Sequence, residues 1–129
     1  MILIVCVDNK NGMMFNNRRQ SRDRILMERI KSITAGKKLW MNAYSAPIFD
    51  GGICIDEDFQ NKAAEGEFCF TENEKPLADK IERIILYKWN RDYPADMYFD
   101  LDLSGWRLIA SKDFKGYSHE KITEEIYVK

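Results

Sequence analysis

Four arginines lie close together in the first part of the chain, Arg18, Arg19, Arg22 and Arg24. A guanidinium group binds phosphate or carboxylate through paired, charge-assisted hydrogen bonds. The cluster also coincides with the start of a predicted helix, where free backbone N–H groups favour anions. The arginines therefore predict a site for a phosphate, a nucleotide or an RNA backbone. The alternative is a solvated surface run whose charge is offset by nearby acids.

Asp23 lies inside this cluster and is the candidate for acid–base chemistry. A carboxyl group that loses its hydration on burial acquires a raised pKa and can then donate a proton to a substrate. An acid in the first turn of a helix is also stabilised by the helix dipole alone. The sequence leaves both roles open, a pocket acid or an acid that only starts a helix.

The chain contains a single histidine, His119, beside the last predicted hairpin. We expect it to be a surface or turn residue rather than a catalytic one. Zinc-dependent ribonucleases such as ribonuclease Z need several histidines and aspartates, including H-x-H-x-D-H, to hold two metal ions. One histidine excludes that class of enzyme, and we expect no metal site. The sequence also lacks P-loop, G-x-G-x-x-G, G-x-S-x-G and C-x-x-C motifs.

Length and composition indicate one domain over residues 1–129. The formal net charge of -1 provides no bulk attraction to nucleic acid or membranes. No apolar run approaches the ~20 residues of a membrane helix, and the N-terminal run lacks the basic start of a signal peptide. We therefore expect a cytoplasmic protein. The three cysteines, Cys6, Cys54 and Cys69, lie in apolar runs and are predicted to be buried, reduced thiols.

Hydrophobic periodicity predicts the elements that position these residues. The apolar run Met1 to Val7 predicts a buried strand, and the polar stretch Asn9 to Asn17 predicts a loop. Ser21 is the predicted N-cap of a helix whose apolar stripe extends from Ile25 to Ile33. Gly36 is well placed to end that helix.

Further along the chain, short apolar runs alternate with turn-rich segments. Trp106 to Ser111 and Lys121 to Val128 predict an antiparallel pair of strands at the end. This order indicates an α/β fold in three layers, with a mostly parallel mixed sheet and an antiparallel C-terminal hairpin. The other predicted strands are Lys38 to Asn42, Ile53 to Ile55, Glu67 to Thr71 and Ile81 to Trp89.

Several segments, taken in order, resemble dihydrofolate reductase. They are VDNKNGMM after the first strand, TAGKKLWMNAYSAPIF from Thr34 to Phe49, ILYKWNRDYPADMYFDLDLSGW, and SHEKITEEIYVK at the end. The resemblance covers nearly the whole chain and extends to short bacterial relatives of that family. The chain is shorter than family members, mainly between Phe49 and Phe68. The resemblance implies a dihydrofolate reductase-like fold.

The departures from the family pattern concern the cofactor. Where the family has a Gly-Gly pair that lets the backbone approach the cofactor pyrophosphate, this chain has Thr71 and Glu72. A carboxylate ~4 Å from a phosphate, at an effective dielectric near 20, costs up to about 4 kcal/mol. The family's phosphate-binding arginine corresponds to Ala43. We therefore expect no NADPH binding in the family's mode, and no other cofactor.

The substrate side of the resemblance is better preserved. Asp23 falls where the family keeps its only buried acid, which contacts the pterin ring. The family's Trp and Leu before that acid are replaced by Arg18, Arg19 and Gln20, and Tyr87 takes the place of the threonine that hydrogen-bonds the acid. The resemblance thus implies a cleft that is more polar and more basic than a pterin pocket.

Three functions are compatible with these residues, and whether the protein is an enzyme stays undecided. The first is a descendant without reductase activity that binds an anionic metabolite, a nucleotide or a macromolecular partner at the cleft mouth, around Arg18 to Arg24 with Tyr44 and Tyr87. The second is a pterin-type reductase with another cofactor pose, in which Asp23→Asn abolishes turnover and leaves stability nearly unchanged. The third is an RNA-associated protein that uses the arginine cluster.

Overall fold

The computed structural model describes residues 1–129, which form ten strands and two α-helices. Two single 3-10 turns, Ala46–Ile48 and Ala78–Lys80, complete the regular structure. The elements in chain order are β1 (Ile2–Val7), β2 (Gly12–Phe15), β3 (Arg18–Arg19), α1 (Arg24–Ile33), β4 (Leu39–Met41), β5 (Cys54–Ile55), α2 (Phe59–Lys62), β6 (Phe68–Phe70), β7 (Arg83–Lys88), β8 (Met97–Tyr98), β9 (Arg107–Phe114) and β10 (Ile122–Val128).

Seven strands form the main sheet in the order β5-β4-β6-β1-β7-β10-β9. The apolar run of β1 lies at its centre and pairs in parallel with β6 on one side and β7 on the other. The β10 strand is antiparallel to β7, and β9 is antiparallel to β10 at the edge. The predicted α/β fold, with a mostly parallel mixed sheet and an antiparallel C-terminal hairpin, is confirmed.

The main sheet is covered on both faces because its central strands are apolar on both faces. Successive side chains of a strand point to opposite sides. Leu3 packs in a cluster with Phe59 of α2, whereas Ile4 packs in a second cluster with Leu26 and Ile30 of α1. All five side chains are fully buried. The sheet therefore separates two hydrophobic cores, as in other three-layer α/β folds.

The segment predicted as a loop, Asn9 to Asn17, contains a strand instead. The β2 strand pairs with β3 and with β8 in a small second sheet. Asn16 and Asn17 form the two-residue turn between β2 and β3, with positive φ values of 51° and 59°. Asparagine tolerates this conformation, which two-residue hairpin turns require. The sequence prediction was wrong because the Asn-Asn turn signal was treated as part of a longer polar loop.

The N-cap of α1 is Asp23. The sequence predicts Ser21 as the cap, and that prediction is wrong. Asp23 has extended backbone angles, and its Oδ1 accepts hydrogen bonds from the backbone N–H groups of Ile25 and Leu26 at 3.0 and 3.2 Å. Ser21 lies two residues before the cap and its hydroxyl contacts His119. Either side chain can cap a helix, so composition alone did not decide between them.

A buried ion pair ties α1 to the sheet. Arg29 donates two hydrogen bonds of 2.9 Å to the carboxylate of Glu124 on β10, and the Tyr87 hydroxyl donates a third at 2.8 Å. Burial, followed by this bond to Glu124, raises the pKa of Tyr87 well above its ordinary value. Tyr87 therefore binds Glu124 and not Asp23, contrary to the role that the resemblance implied for it.

No helix in the structure is long and apolar enough to cross a membrane. The three cysteines are free thiols; Cys69 is buried, whereas Cys6 and Cys54 are half-buried. Burial raises the pKa of the Cys69 thiol to about 12. Of the three cysteines that the sequence predicts to be buried, only Cys69 is fully buried.

Replacing Leu26 with alanine should lower the free energy of unfolding by about 2–5 kcal/mol, because it opens a cavity between α1 and the sheet. Leu26 is 0% exposed. The control Glu28→Ala, on the exposed side of the same helix, should change stability by no more than about 0.5 kcal/mol. Urea unfolding of the three proteins makes the comparison. Equal losses for both variants would contradict this packing of α1.

Candidate functional site

A small cavity lies at the carboxyl ends of β1 and β6, where parallel sheets commonly bind ligands. Cys6 of β1, Phe70 of β6 and Trp89, just after β7, line its floor. Its volume is about 10 Å³, which is room for one water molecule. Burial, and secondarily the negative charge of Glu72, raises the pKa of the Cys6 thiol well above its ordinary value. Cys6 is therefore an apolar wall of the cavity and not a nucleophile.

A salt bridge closes the side of this cavity. Arg19 on β3 donates from Nε and Nη2 to the two carboxylate oxygens of Glu72 at 2.9 and 3.1 Å. The Ser45 hydroxyl donates to Glu72 Oε1 at 2.8 Å. The Glu72 side chain is 9% exposed and that of Arg19 is 25% exposed. Bidentate, partly buried pairs of this kind are directional and strong, so both side chains are fixed.

Tyr44 completes the environment of Arg19. The guanidinium carbon lies 4.7 Å from the centre of the Tyr44 ring, and Nη2 donates to the Tyr44 carbonyl oxygen at 3.2 Å. The Tyr44 hydroxyl accepts from the backbone N–H of Arg19 at 2.9 Å. Arg19 and Tyr44 thus come together as predicted. The charge of Arg19, however, is already used by Glu72.

The other three arginines do not form one site with Arg19. Arg24 stacks on the ring of Tyr117 at 4.2 Å and lines a separate groove on the α1 side. Arg22 is exposed, belongs to no ion pair and lines none of the larger grooves. Arg18 is also exposed and unpaired, and it lines an open groove of about 580 Å³ beside Arg19. The four arginines therefore do not form a single site. Arg18 is the one of the four that is unpaired and lines a groove next to Arg19.

The loop that corresponds to the family's cofactor phosphate site is held by its own hydrogen bonds. Thr71 is buried and donates its hydroxyl to the carbonyl oxygen of Glu74 at 2.9 Å. The backbone N–H of Ala43 donates to Glu57 at 2.8 Å. Asn42 donates to Asn73 at 2.8 Å. The Thr71 hydroxyl, the Ala43 N–H and the Asn42 amide are therefore occupied within the chain.

Asp23 is buried, as the resemblance to a pterin-binding acid implies, but hydrogen-bond donors surround its carboxylate. Its side chain is 0% exposed. Burial by itself raises the pKa of Asp23, yet the hydrogen bonds outweigh burial and hold it well below its ordinary value. The expected raised pKa is thus reversed, so Asp23 is an acceptor and not a proton donor. The donors, besides the two helix N–H groups, are the N–H of Tyr117 at 2.9 Å, the N–H and hydroxyl of Ser118 at 2.9 and 3.3 Å, and His119 at 2.9 Å.

His119 is buried, contrary to the expectation of a surface or turn residue. Its ring stacks on Trp89 with a centroid distance of 4.6 Å. Nδ1 lies 2.9 Å from Asp23 Oδ2, while Nε2 lies 3.1 Å from both the Ser21 hydroxyl and the Tyr93 hydroxyl. Only 3% of His119 is exposed. Nothing local in the sequence reveals this environment, because these partners come from two distant segments, residues 21–23 and 89–93.

Gln20 carries an unused acceptor beside the same cavity. Its Nε2 donates to Asp8 Oδ2 at 3.0 Å and to the Pro94 carbonyl oxygen at 3.3 Å. Its Oε1 is buried and has no hydrogen-bond partner in the chain. The opposite amide orientation would place two oxygens against each other at Asp8, so the orientation is fixed. A buried acceptor of this kind is satisfied by a water molecule or by a donor on a ligand.

Comparisons with known proteins place the fold. No family model matches the chain, and no curated protein has a similar sequence. A dihydrofolate reductase from Enterococcus faecalis, solved with NADP(H) and RAB-propyl, is similar in structure, with a TM-score of 0.73 and 11% sequence identity. The match covers 98% of this chain and 94% of that chain. The protein therefore has a dihydrofolate reductase-like fold. At 11% identity the similarity establishes the fold and not the function.

Asp23→Asn should lower the free energy of unfolding at pH 7 by about 1–3 kcal/mol, because buried donors lose a charged acceptor. A carboxylate whose pKa is lower when folded stabilises the protein above its ordinary pKa of ~3.9, and this contribution is lost as the pH falls below that value. The stability difference between the native protein and Asp23→Asn should therefore shrink between pH 7 and roughly pH 3.

Urea unfolding at the two pH values measures this difference. Asp92→Asn, at an exposed position with no partner, is the matched control. An unchanged stability of Asp23→Asn at pH 7 would contradict the structural role and would restore the expectation derived from the sequence.

Proposed function

We propose that this protein keeps the fold of dihydrofolate reductase without NADPH-dependent reductase activity, and that it binds a small anionic molecule beside the old cleft. The observation that carries this proposal is the salt bridge between Arg19 and Glu72. It places a fixed carboxylate at the end of β6, where the resemblance puts the cofactor pyrophosphate. The anion site is the groove beside it, where Arg18 is unpaired.

A dinucleotide bound in the family's mode would bring a phosphate against the carboxylate of Glu72. Glu72 cannot leave without abandoning three hydrogen bonds, two from Arg19 and one from Ser45. If it stays, it repels a phosphate at that position. The structural neighbour was solved with NADP(H), so the fold itself admits a dinucleotide. The difference therefore lies in a few side chains, including Ala43 in place of the family's arginine.

The groove beside the salt bridge has the chemistry for a small aromatic anion. Arg18 supplies an unpaired guanidinium at its wall, and Phe15 supplies an apolar surface that is 41% exposed. Tyr93 and Pro94 form the opposite wall. A ligand with one phosphate or carboxylate and a flat apolar body satisfies both the charge and the surface. A mononucleotide is the simplest molecule of this type.

The two other candidate functions have less support from the geometry. A reductase that relies on Asp23 as a proton donor conflicts with the lowered pKa of that carboxyl group. An RNA-binding role needs several arginines along one surface, whereas Arg19 is paired with Glu72 and Arg24 faces another groove. The net charge of -1 adds no general attraction to RNA.

Titration with NADPH and with AMP tests the proposal through the fluorescence of Trp89. We expect no NADPH binding up to millimolar concentration and saturable AMP binding. Arg18→Ala should weaken AMP binding by roughly tenfold or more, because it removes a charge-assisted hydrogen bond worth about 1.5–3 kcal/mol. Arg107→Ala removes an equally exposed arginine on the far edge of the sheet and is the control.

Micromolar NADPH binding would contradict the loss of the cofactor site. Equal AMP binding by Arg18→Ala and the native protein would contradict the groove. If RNA binds instead, with an affinity that falls steeply with salt, the RNA-associated function replaces the present proposal.

Glu72→Gln provides an opposite test, because it removes the charge that occupies Arg19. We expect Glu72→Gln to bind inorganic pyrophosphate at least about tenfold more tightly than the native protein, since a second guanidinium becomes available. Glu65→Gln removes an exposed carboxylate before β6, at the opposite end of that strand from Glu72, and should have no effect. Calorimetric titration measures both. A Glu72→Gln protein with native pyrophosphate affinity would show that Glu72 does not restrain Arg19.

A further inference from the structure

Ser21, His119 and Asp23 form a chain of hydrogen bonds that the proposed anion binding does not use. The Ser21 hydroxyl lies 3.1 Å from His119 Nε2, and His119 Nδ1 lies 2.9 Å from Asp23 Oδ2. Both distances are those of formed hydrogen bonds. A hydroxyl, an imidazole and a buried carboxylate in this order are the parts of a serine nucleophile with its base and its positioning acid.

The surroundings of Asp23 determine where His119 carries its proton. Because hydrogen bonds hold the pKa of Asp23 well below its ordinary value, the group is a carboxylate and only accepts. His119 must then present an N–H to it from Nδ1. In the neutral form of the ring, Nε2 then keeps its lone pair, which lies within hydrogen-bond distance of the hydroxyls of Ser21 and Tyr93. This is the tautomer that a general base needs.

Two hydroxyl groups share that single lone pair. Ser21 is half-buried and borders the cavity, whereas Tyr93 lines the open groove. Only one hydroxyl can donate to Nε2 at a time. Tyr93 is therefore a competitor for the base, and removing its hydroxyl should leave Nε2 to Ser21 alone.

The space around Ser21 has two further features of a reaction site. Gln20, whose Oε1 is buried and unpartnered, also lines the cavity beside Ser21, and this cavity has room for one water molecule. The backbone N–H groups of Ser21 and Arg22 donate to no group of the chain. A hydrolytic water can thus be held by Gln20, and donors for a developing oxyanion are free next to the hydroxyl.

From this geometry we propose that Ser21 is an acyl-accepting nucleophile activated by His119, that Asp23 is the positioning residue for His119, and that the protein hydrolyses small acyl esters. Ser21 Oγ attacks the ester carbonyl carbon while its proton passes to His119 Nε2. The carbon–oxygen bond of the leaving alcohol then breaks, and the alcohol takes that proton. Water attacks the acyl-Ser21, His119 takes and returns one proton, and the carboxylic acid leaves.

Substrate entry follows from two neighbouring spaces that share the residues directly before Ser21. Arg19 and Gln20 line both the cavity and the open groove. The acyl carbonyl meets Ser21 at this junction, and the leaving alcohol occupies the groove. Because the cavity has room for one water molecule only, the acyl group stays at the junction and is short, of the size of acetyl. The relay operates on a neutral ester too, so its test does not depend on the anion site.

Fluorophosphonate labelling of the native protein tests the nucleophile without a mutation. We expect mass spectrometry to locate the label on Ser21 and p-nitrophenyl acetate to be hydrolysed. Ser21→Ala should lose the label and lower the hydrolysis rate at least 100-fold. Ser32→Ala, an exposed serine on α1, should keep both. No label on Ser21, or equal rates for Ser21→Ala and the native protein, would overturn the proposal.

Two further variants separate chemistry from folding. Tyr93→Phe should increase the labelling rate of Ser21, because it leaves His119 Nε2 to Ser21 alone, and an unchanged or lower rate in the folded variant would overturn the assigned roles. Asp23→Asn should reduce labelling at least tenfold at a temperature where circular dichroism shows it folded. Leu26→Ala destabilises the same helix without touching the relay and should retain labelling. Equal labelling of Asp23→Asn and Leu26→Ala would exclude the positioning role of Asp23.

Discussion

One buried carboxylate joins a helix near the start of the chain to a turn near its end. Asp23 caps α1 and also accepts three hydrogen bonds from Tyr117 and Ser118 in the turn between β9 and β10. A side chain at Gly116 would place its Cβ 2.6 Å from Asp23 Oδ2, so only glycine lets the turn approach the carboxylate. The helix, the C-terminal hairpin and His119 are thereby fixed to one point.

The salt bridge between Arg19 and Glu72 has a comparable effect on the other side of the cavity. It connects the small sheet to the end of β6, and Tyr44 and Ser45 hold its two members in place. In a dihydrofolate reductase-like fold, this is the region where the resemblance expects a cofactor phosphate. The chain has filled the region with its own charge pair. The chain shares its architecture with a reductase at only 11% identity, because different apolar side chains of suitable size can fill the same core.

The fold could be predicted from sequence because it depends on patterns that repeat locally. The apolar run of β1, the stripe of α1 and the alternation in β10 each carry their own signal, and these three elements lie within a few residues of their predicted places. The hairpin turn at Asn16 and Asn17 was missed because its signal is only two residues long. The free energy of burial is a sum over many apolar side chains. An error of a few residues at the end of a predicted element therefore does not change the predicted fold.

The site could be predicted only in its components. Asp23 and the arginines were recognised by residue type, but their partners are 96 and 53 positions away, at His119 and Glu72. A single hydrogen bond between such distant residues leaves no periodic trace in the sequence. For the same reason Ser21, interpreted as a helix cap, gave no sign of its contact with His119. Tyr87 was placed in the site by resemblance and lies instead against Glu124.

Asp23 holds His119 with its proton on Nδ1, which leaves Nε2 free to accept a hydrogen bond. Because the chain has one histidine, nitrogen-15 NMR of the imidazole gives one pair of signals and needs no assignment by mutation. Near pH 7 we expect a hydrogen directly coupled to Nδ1 and none on Nε2. A proton on Nε2 would contradict this arrangement, because neither Ser21 nor Tyr93 could then donate to the ring and His119 could not act as the base for Ser21.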